Sequence, residues 1–220
     1  MSTVKNLVIA IDGPCGSGKT TMAKRIADDL HITNINTGNI FRGIALYKLM
    51  NPEMETNEIL SSIDLEVNDV GEIILNKEDV TSKLSSTKVA AMASSISAIG
   101  EVRDFVLQIE RKLAEDTSVV LEGRDIGTVV FPDADCKIYL TANPLIRAYR
   151  RYKDLINGGE VVKPETVLEG IIKRDMHDST RAIAPLRKAD DAELIDSSDM
   201  TIDEVEDMIL LILQGKCEEV

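Results

Sequence analysis

Residues 13–20 read Gly13-Pro14-Cys15-Gly16-Ser17-Gly18-Lys19-Thr20, the pattern G-x-x-x-x-G-K-[ST], set between an apolar run at 7–11 and a helix-compatible stretch reaching residue 30. No other feature restricts the fold as much. A strand, a glycine-rich loop and a helix in that order form the phosphate cradle of P-loop α/β proteins. The glycines admit a phosphate close to the backbone, and the helix adds the positive end of its dipole. The Lys19 ammonium reaches the terminal phosphates, and the Thr20 hydroxyl is placed to ligate Mg²⁺. The nucleotide-binding set is therefore Gly13, Pro14, Cys15, Gly16, Ser17, Gly18, Lys19, Thr20 and the adjoining Thr21.

A chain of 220 residues suffices for one such domain with a well-buried sheet, read as a single unit over 1–220. The formal net charge of −13 argues against a nucleic-acid partner, since phosphate neutralisation supplies most of that affinity. A small anion needs only a local cluster of cations. Cys15, Cys136 and Cys217 are odd in number and too widely spaced for a disulfide or metal framework, which fits a reduced, cytoplasmic protein. The acidic Asp12 and the phosphate loop come before any long apolar run, so no signal peptide or membrane span is expected. His31 and His177 lack companions for a metal site.

Apolar runs at 7–11, 32–36, 119–122, 137–141 and 193–196 read as strands. Helical periodicity covers about 19–30, 39–49, 87–99, 102–115, 144–156, 164–179 and 202–213. The alternation predicts a mostly parallel sheet covered by helices. Residues 65–84 break it as short antiparallel strands, read as a small β insertion covering one side of a cleft. Gly158-Gly159, opposite and before Lys163-Pro164, reads as a lid. The insertion is bounded at about 63–86 and the lid at about 150–164.

Asn76-Lys77-Glu78-Asp79 matches N-K-x-D, a guanine-reading tetrad. No aspartate from Asp12 onward is followed by glycine at the third position, so the γ-phosphate sensor of a GTPase is missing and a solvated hairpin is the better reading. The arginines carry more. Eight of the eleven (Arg42, Arg103, Arg124, Arg147, Arg150, Arg151, Arg174 and Arg181) fall near predicted strand ends, helix starts or the lid. That distribution suits phosphoryl transfer, whose catalysis is positioning plus electrostatic stabilisation. Arg174, Asp178 and Arg181 stand at i, i+4 and i+7 on one helix face, either a salt-bridge ladder or a wall of the site. Arg147, Arg150 and Arg151 share the helix that runs into the lid, whose closure would carry cations over a triphosphate.

Four stretches together resemble the bacterial-type cytidylate kinases, nucleoside monophosphate kinases of the P-loop class: Ile11-Asp12-Gly13-Pro14 with the loop after it; Asn36-Thr37-Gly38-Asn39-Ile40-Phe41-Arg42; the block from Glu122-Gly123-Arg124-Asp125 to Ala134; and the block from Arg174-Asp175 to Leu186. The likeness runs through nearly the whole chain in order. It implies a nucleoside monophosphate kinase fold: a five-stranded, mostly parallel sheet with helices on both faces, a small antiparallel insertion that binds the acceptor nucleotide, and a short lid. It implies phosphorylation of CMP and dCMP by ATP with Mg²⁺, in pyrimidine salvage and recycling, by a cytoplasmic monomer.

Residue by residue, the resemblance gives the cytosine amino group to Asp125, with Ser94 and Arg103 completing the base pocket. It gives the acceptor phosphate to Arg42, Arg124 and Arg181, the ribose end to Arg174 and Asp178, and an acceptor-side place to Thr37. Lys19, Arg124, Arg150, Arg151 and Arg181 would stabilise the transferring group, with Mg²⁺ on Thr20. The sequence departs from the family at Cys15, Asn36, Asn39 and Phe41, where Ala or Ser, Asp, Ala and Tyr are usual. A P-loop kinase for another small acceptor and a GTP-binding switch are the competing readings. An acceptor panel tests the first, and ATP against GTP binding tests the second.

Overall fold

The computed structural model describes residues 6–115 and 117–218, and no side chain beyond residue 216, so the Cys217 thiol lies outside the described residues. In chain order the elements are β1 (Val8–Asp12), α1 (Lys19–Leu30), β2 (Thr33–Asn36), α2 (Thr37–Met50), α3 (Thr56–Ser62), β3 (Leu65–Val67), β4 (Ile73–Leu75), β5 (Glu78–Asp79), α4 (Thr87–Ile96), α5 (Gly100–Leu113), β6 (Val119–Gly123), β7 (Cys136–Thr141), α6 (Pro144–Asn157), α7 (Pro164–Thr180), β8 (Glu193–Asp196) and α8 (Ile202–Glu218). A 3-10 turn occupies Thr81–Ser85, and a single π-turn follows β6 at Ile126–Val130.

The five expected strands form one parallel sheet in the order β2-β6-β1-β7-β8. β6 is buried along its whole length, which is why Val119-Val120-Leu121 reads as a continuous apolar run. Side chains alternate across the sheet and define two cores. Ala10, Val119 and Leu121 join α2, α4 and α5 residues such as Ile44, Val89 and Val106. Ile9, Ile11 and Val120 join α1 and α8 residues such as Ile26 and Ile209. The sequence changes direction at β1, whose neighbours β6 and β7 continue to opposite sides. The carboxyl ends of β1 and β6 thus open a crevice at a topological switch point, where ligands of such sheets bind.

The insertion is a three-stranded antiparallel sheet, β3-β4-β5. Asn76 and Lys77 both have positive φ (50° and 69°) between paired Leu75 and Glu78, which makes the N-K-x-D stretch a tight two-residue hairpin turn. One expectation needs correction. Leu65, Ile73, Leu75 and Leu84 belong to the same core as α2 and α4, and no residue of 65–84 lines the cleft. The small sheet lies behind α2, so close that a β-carbon on Gly43 would stand 2.5 Å from Leu65 Cδ1. The cleft wall on that side is made by α2, α4 and the start of α5 instead. Among the described residues no helix is long and apolar enough to cross a membrane.

Candidate active site

The loop from β1 to α1 takes its shape from close backbone approaches. Gly13 has φ +152°, and a β-carbon there would lie 2.0 Å from the Leu140 carbonyl oxygen, so only glycine fits. Gly18, at φ 97°, starts α1 with no side-chain cap, which leaves the first-turn N–H groups for an anion. Arg147 supports the loop from behind, donating from Nη1 to the Cys15 carbonyl (2.9 Å), from Nε to the Ala142 carbonyl (2.7 Å) and from Nη2 to Asp175 Oδ2 (2.7 Å). Its guanidinium is buried and fully engaged, so it is a strut of the loop and not one of the lid cations expected from the sequence.

Lys19 is 5% exposed and donates to the Pro14 carbonyl at 2.7 Å. Burial lowers its pKa to about 7, with the Arg124 guanidinium adding to the effect. Thr20 Oγ1 donates to Glu122 Oε2 at 3.0 Å, and Glu122 Oε1 is buried without a partner. Burial raises the Glu122 pKa, opposed by Lys19 and the Thr20 bond. Residues 15–21 line a cleft of about 490 Å³. That volume lies within the range of small-molecule sites.

The opposite wall carries the arginines. Arg124 Nε donates to Asp178 Oδ2 at 2.9 Å, and Arg174 Nε approaches the same oxygen at 3.6 Å. Arg42, Arg151 and Arg174 also line this wall, and burial together with Arg174 and Arg151 depresses the Arg42 pKa. Burial alone would lower Arg124, but Asp178 holds it above its ordinary value. Asp178 stays ionised for the converse reason: burial would raise its pKa, and Arg124 and Arg174 bring it below the usual carboxylate range. Asp178 engages two of these four guanidiniums, which leaves a positive surplus on the wall that a doubly charged phosphate matches.

Further along, Asp125 is 5% exposed and accepts from Arg103 Nη2 on one oxygen and Arg181 Nη2 (3.1 Å) on the other. Arg181 Nε is fixed on the Ala184 carbonyl (2.7 Å), and the Arg103 guanidinium lies 5.6 Å from the Phe41 ring centre. Of the expected i, i+4, i+7 stripe only Arg174 and Asp178 lie on α7; Arg181 follows its last residue with an extended backbone and pairs with Asp125, so all three line the cleft but they do not form one ladder on a helix face. Gly123 allows this packing, because a β-carbon there would meet Ile126 at 2.7 Å and Thr37 Oγ1 at 2.9 Å. Thr37 lines the cleft, its hydroxyl donating to the Glu122 carbonyl at 2.8 Å. Asn36 caps α2 through Asn39 N (3.2 Å), and the Asn39 side chain in turn accepts from Arg42. Both departures therefore have structural work.

Ser94 is not brought to the cleft. It is half-buried on α4, and its carbonyl accepts from the Ser97 hydroxyl at 2.9 Å; Ala93 and Ser97, on either side of it, line the cleft instead. Arg150 and Arg151 separate. Arg150 donates to Ser197 Oγ (3.0 Å) and the Ser197 carbonyl (2.7 Å) beside Met200, Ile202 and Val205, and Arg151 acts electrostatically on Arg42. The sequence reading missed Glu122, Ser197 and Glu110. Glu110 is buried behind Asp125, and burial followed by the Asp125 charge pushes its pKa up to about 8, so at neutral pH it is largely uncharged and leaves Arg103 to Asp125.

A phosphate cradle at the switch point facing a cationic wall defines a P-loop phosphotransferase. The chain matches the family model described as cytidylate kinase over residues 9–214. It is 45% identical over 213 residues to the cytidylate kinase of Thermosipho africanus (strain TCF52B), covering 96% of each chain. It is 44% identical to that of Clostridioides difficile (strain 630), covering 91% of this chain and 94% of the relative. The chain belongs to the cytidylate kinase family. In fold it is similar to an uncharacterized protein from Eubacterium ventriosum ATCC 27560, with TM-score 0.55 at 16% identity over 95% of this chain and 99% of that one.

Proposed function

We propose that the chain is a cytoplasmic, monomeric kinase that reversibly moves the γ-phosphoryl group of ATP to CMP and dCMP. Family membership supports the reaction, and the observation that carries the site assignment is the surplus of guanidiniums in the cleft that the P-loop lines: Arg124 and Arg174 share Asp178, while Arg42 and Arg151 line the same cleft. An ADP-release assay with Mg-ATP against CMP, dCMP, UMP, AMP, GMP and shikimate tests it. CMP and dCMP are expected to give the highest kcat/KM, and a preference for shikimate or AMP would overturn the assignment.

In this reading the triphosphate lies over residues 15–21, with Lys19 on its terminal oxygens. Met200, Ile202 and Val205 offer an apolar wall to the ATP base beside Arg150, and Arg151 approaches the transferring group. Arg42, Arg124 and Arg181 hold the acceptor phosphate, and Arg174 and Asp178 hold the ribose end. Asp125 and Arg103 read the base, with Ser97 in the place assigned to Ser94. The acceptor oxygen of a nucleoside monophosphate is already ionised near neutral pH, so no general base is needed.

Mg²⁺ fits the residues present. The orphaned Glu122 Oε1 beside the Thr20 hydroxyl is the buried oxygen pair that a hard cation with several waters uses. Bound there, the ion would neutralise charge on the β- and γ-phosphate oxygens. Glu122→Gln is expected to raise the Mg²⁺ concentration for half-maximal nucleotide binding by about 10-fold or more. An unchanged Mg²⁺ titration would remove Glu122 from the site.

The two arginines on opposite sides should split the kinetics. Arg181→Ala is expected to raise KM for CMP by about 10-fold or more with little change for ATP, the loss of one charge-assisted contact. Arg150→Ala is expected to raise KM for ATP or lower kcat. Equal small effects on both substrates from both variants would make the contacts of Arg181 with Asp125 and of Arg150 with Ser197 structural only.

A further inference from the structure

Asp12 ends β1 immediately before Gly13, is 5% exposed, and touches no substrate position assigned above. Its carboxylate accepts two backbone bonds, Ile126 N–H on Oδ1 (2.8 Å) and Gly127 N–H on Oδ2 (2.7 Å). These are the residues that follow Arg124 and Asp125, at the start of the π-turn. The Asp125 carbonyl already closes that turn by accepting from Val129 (2.9 Å) and Val130 (3.2 Å). The first two donors of a turn have no partner within it, and both residues are buried, so the bonds to Asp12 are what keep them satisfied. A β-carbon on Gly127 would press on the Lys137 side chain, 3.1 Å from Cδ, while standing at an ordinary contact distance of 3.5 Å from Asp12 Oδ2.

We propose that Asp12 is a positioning residue for the transfer: through Ile126 and Gly127 it fixes the Arg124–Asp125 segment, which reads the acceptor, to the strand end that carries the phosphate loop, which holds the donor. This rests on the CMP kinase reading of the site. Burial raises the Asp12 pKa to about 6, with the two N–H groups opposing that rise, so the carboxylate is mostly ionised at neutral pH. The spacing of donor and acceptor matters because a 1 Å displacement of aligned reactants costs on the order of 10²-fold in rate. The sharpest variant is Asp12→Asn. It keeps the shape, but one oxygen becomes an NH₂ that faces an N–H donor.

Asp12→Asn is expected to lower kcat/KM for CMP by about 10- to 100-fold, on the scale of a displacement below 1 Å, with KM for ATP within about twofold. Melting temperature, measured on the same sample, separates this from general destabilisation. A lowered Tm with unchanged kcat and KM for CMP would make Asp12 structural only and overturn the proposal, as would unchanged kinetics with unchanged Tm. If the variant does not fold, the unaltered protein still decides: the Ile126 and Gly127 amide proton shifts should follow one common titration, and independent behaviour would overturn the contact. A failure of the function reading is recognised separately, since the unaltered protein would then show no CMP-dependent ADP release.

Discussion

Lys19→Met is expected to lower kcat by about 10²- to 10³-fold, the loss typical of removing one preorganised contact to developing charge, while the ligand-free protein melts no lower than the unaltered one. The two halves have one cause. The ammonium is buried against its own loop, donating to Pro14 O and 3.5 Å from Ser17 Oγ, and burial brings its pKa from 10.5 down to about 7. A lysine whose folded pKa lies below its unfolded one binds its proton better in the unfolded chain. Stability therefore rises with pH between about 7 and 10.5, and the cost of the buried charge is full below about pH 7. Methionine removes that cost at nearly constant volume, so any gain in Tm is largest at pH 7 or below and shrinks as pH rises. A triphosphate restores the charge, so ATP binding above pH 7 should take up a proton and weaken as pH rises. Calorimetry in buffers of different ionisation enthalpy checks the uptake, and the variant should lack it. A variant with near wild-type kcat would move the phosphate site elsewhere.

The sheet was legible because its signals are local. The apolar runs lie within one residue of the observed strands, and α1, α6 and α7 begin where glycine or proline marks their first turns. The seven-residue α3 was missed. It opens on a Glu55–Glu58 capping box without the usual Ser or Thr, and too short a run follows to show a period. The π-turn at Ile126–Val130 was also invisible, since its donors are satisfied by Asp12, more than a hundred residues away. The insertion shows the same limit. Alternation at Leu65, Ile73 and Leu75 says that one face is buried, but not that α2 covers it instead of the cleft.

The site was legible as a residue set and less so as a division of labour. Arg147, Arg150 and Arg151 are close on one helix, and only the carbonyls of Ala142 and Cys15 on one side and Ser197 on the other give them different work. Likewise Ser94 and Ser97 are one turn apart, and which of them faces the cleft depends on how α4 ends. Long-range partners decide both cases, and residue type does not report them.

Asp125→Asn is expected to lower kcat/KM for CMP by about 10- to 150-fold, the equivalent of one charge-assisted hydrogen bond, and to lower it much less for UMP. Cytosine presents an amino donor at its 4-position and uracil an acceptor oxygen, so a buried carboxylate pairs with the first and repels the second. The amide can offer either a donor or an acceptor. The structure adds a common term to this difference. Both carboxylate oxygens already hold guanidiniums, Arg103 on one and Arg181 on the other, so the substitution also loosens two arginines that either pyrimidine nucleotide would meet. The loosening lowers kcat/KM for CMP and UMP alike and cancels in their ratio. What survives is base discrimination, which arises when the wrong partner leaves a buried polar group unpaired. The CMP/UMP ratio of kcat/KM should therefore fall towards one even as both values drop. If the ratio stays at its wild-type value, Asp125 acts only as the clamp on Arg103 and Arg181, and the amino group of cytosine is read by another residue of the same wall, Ser97 first.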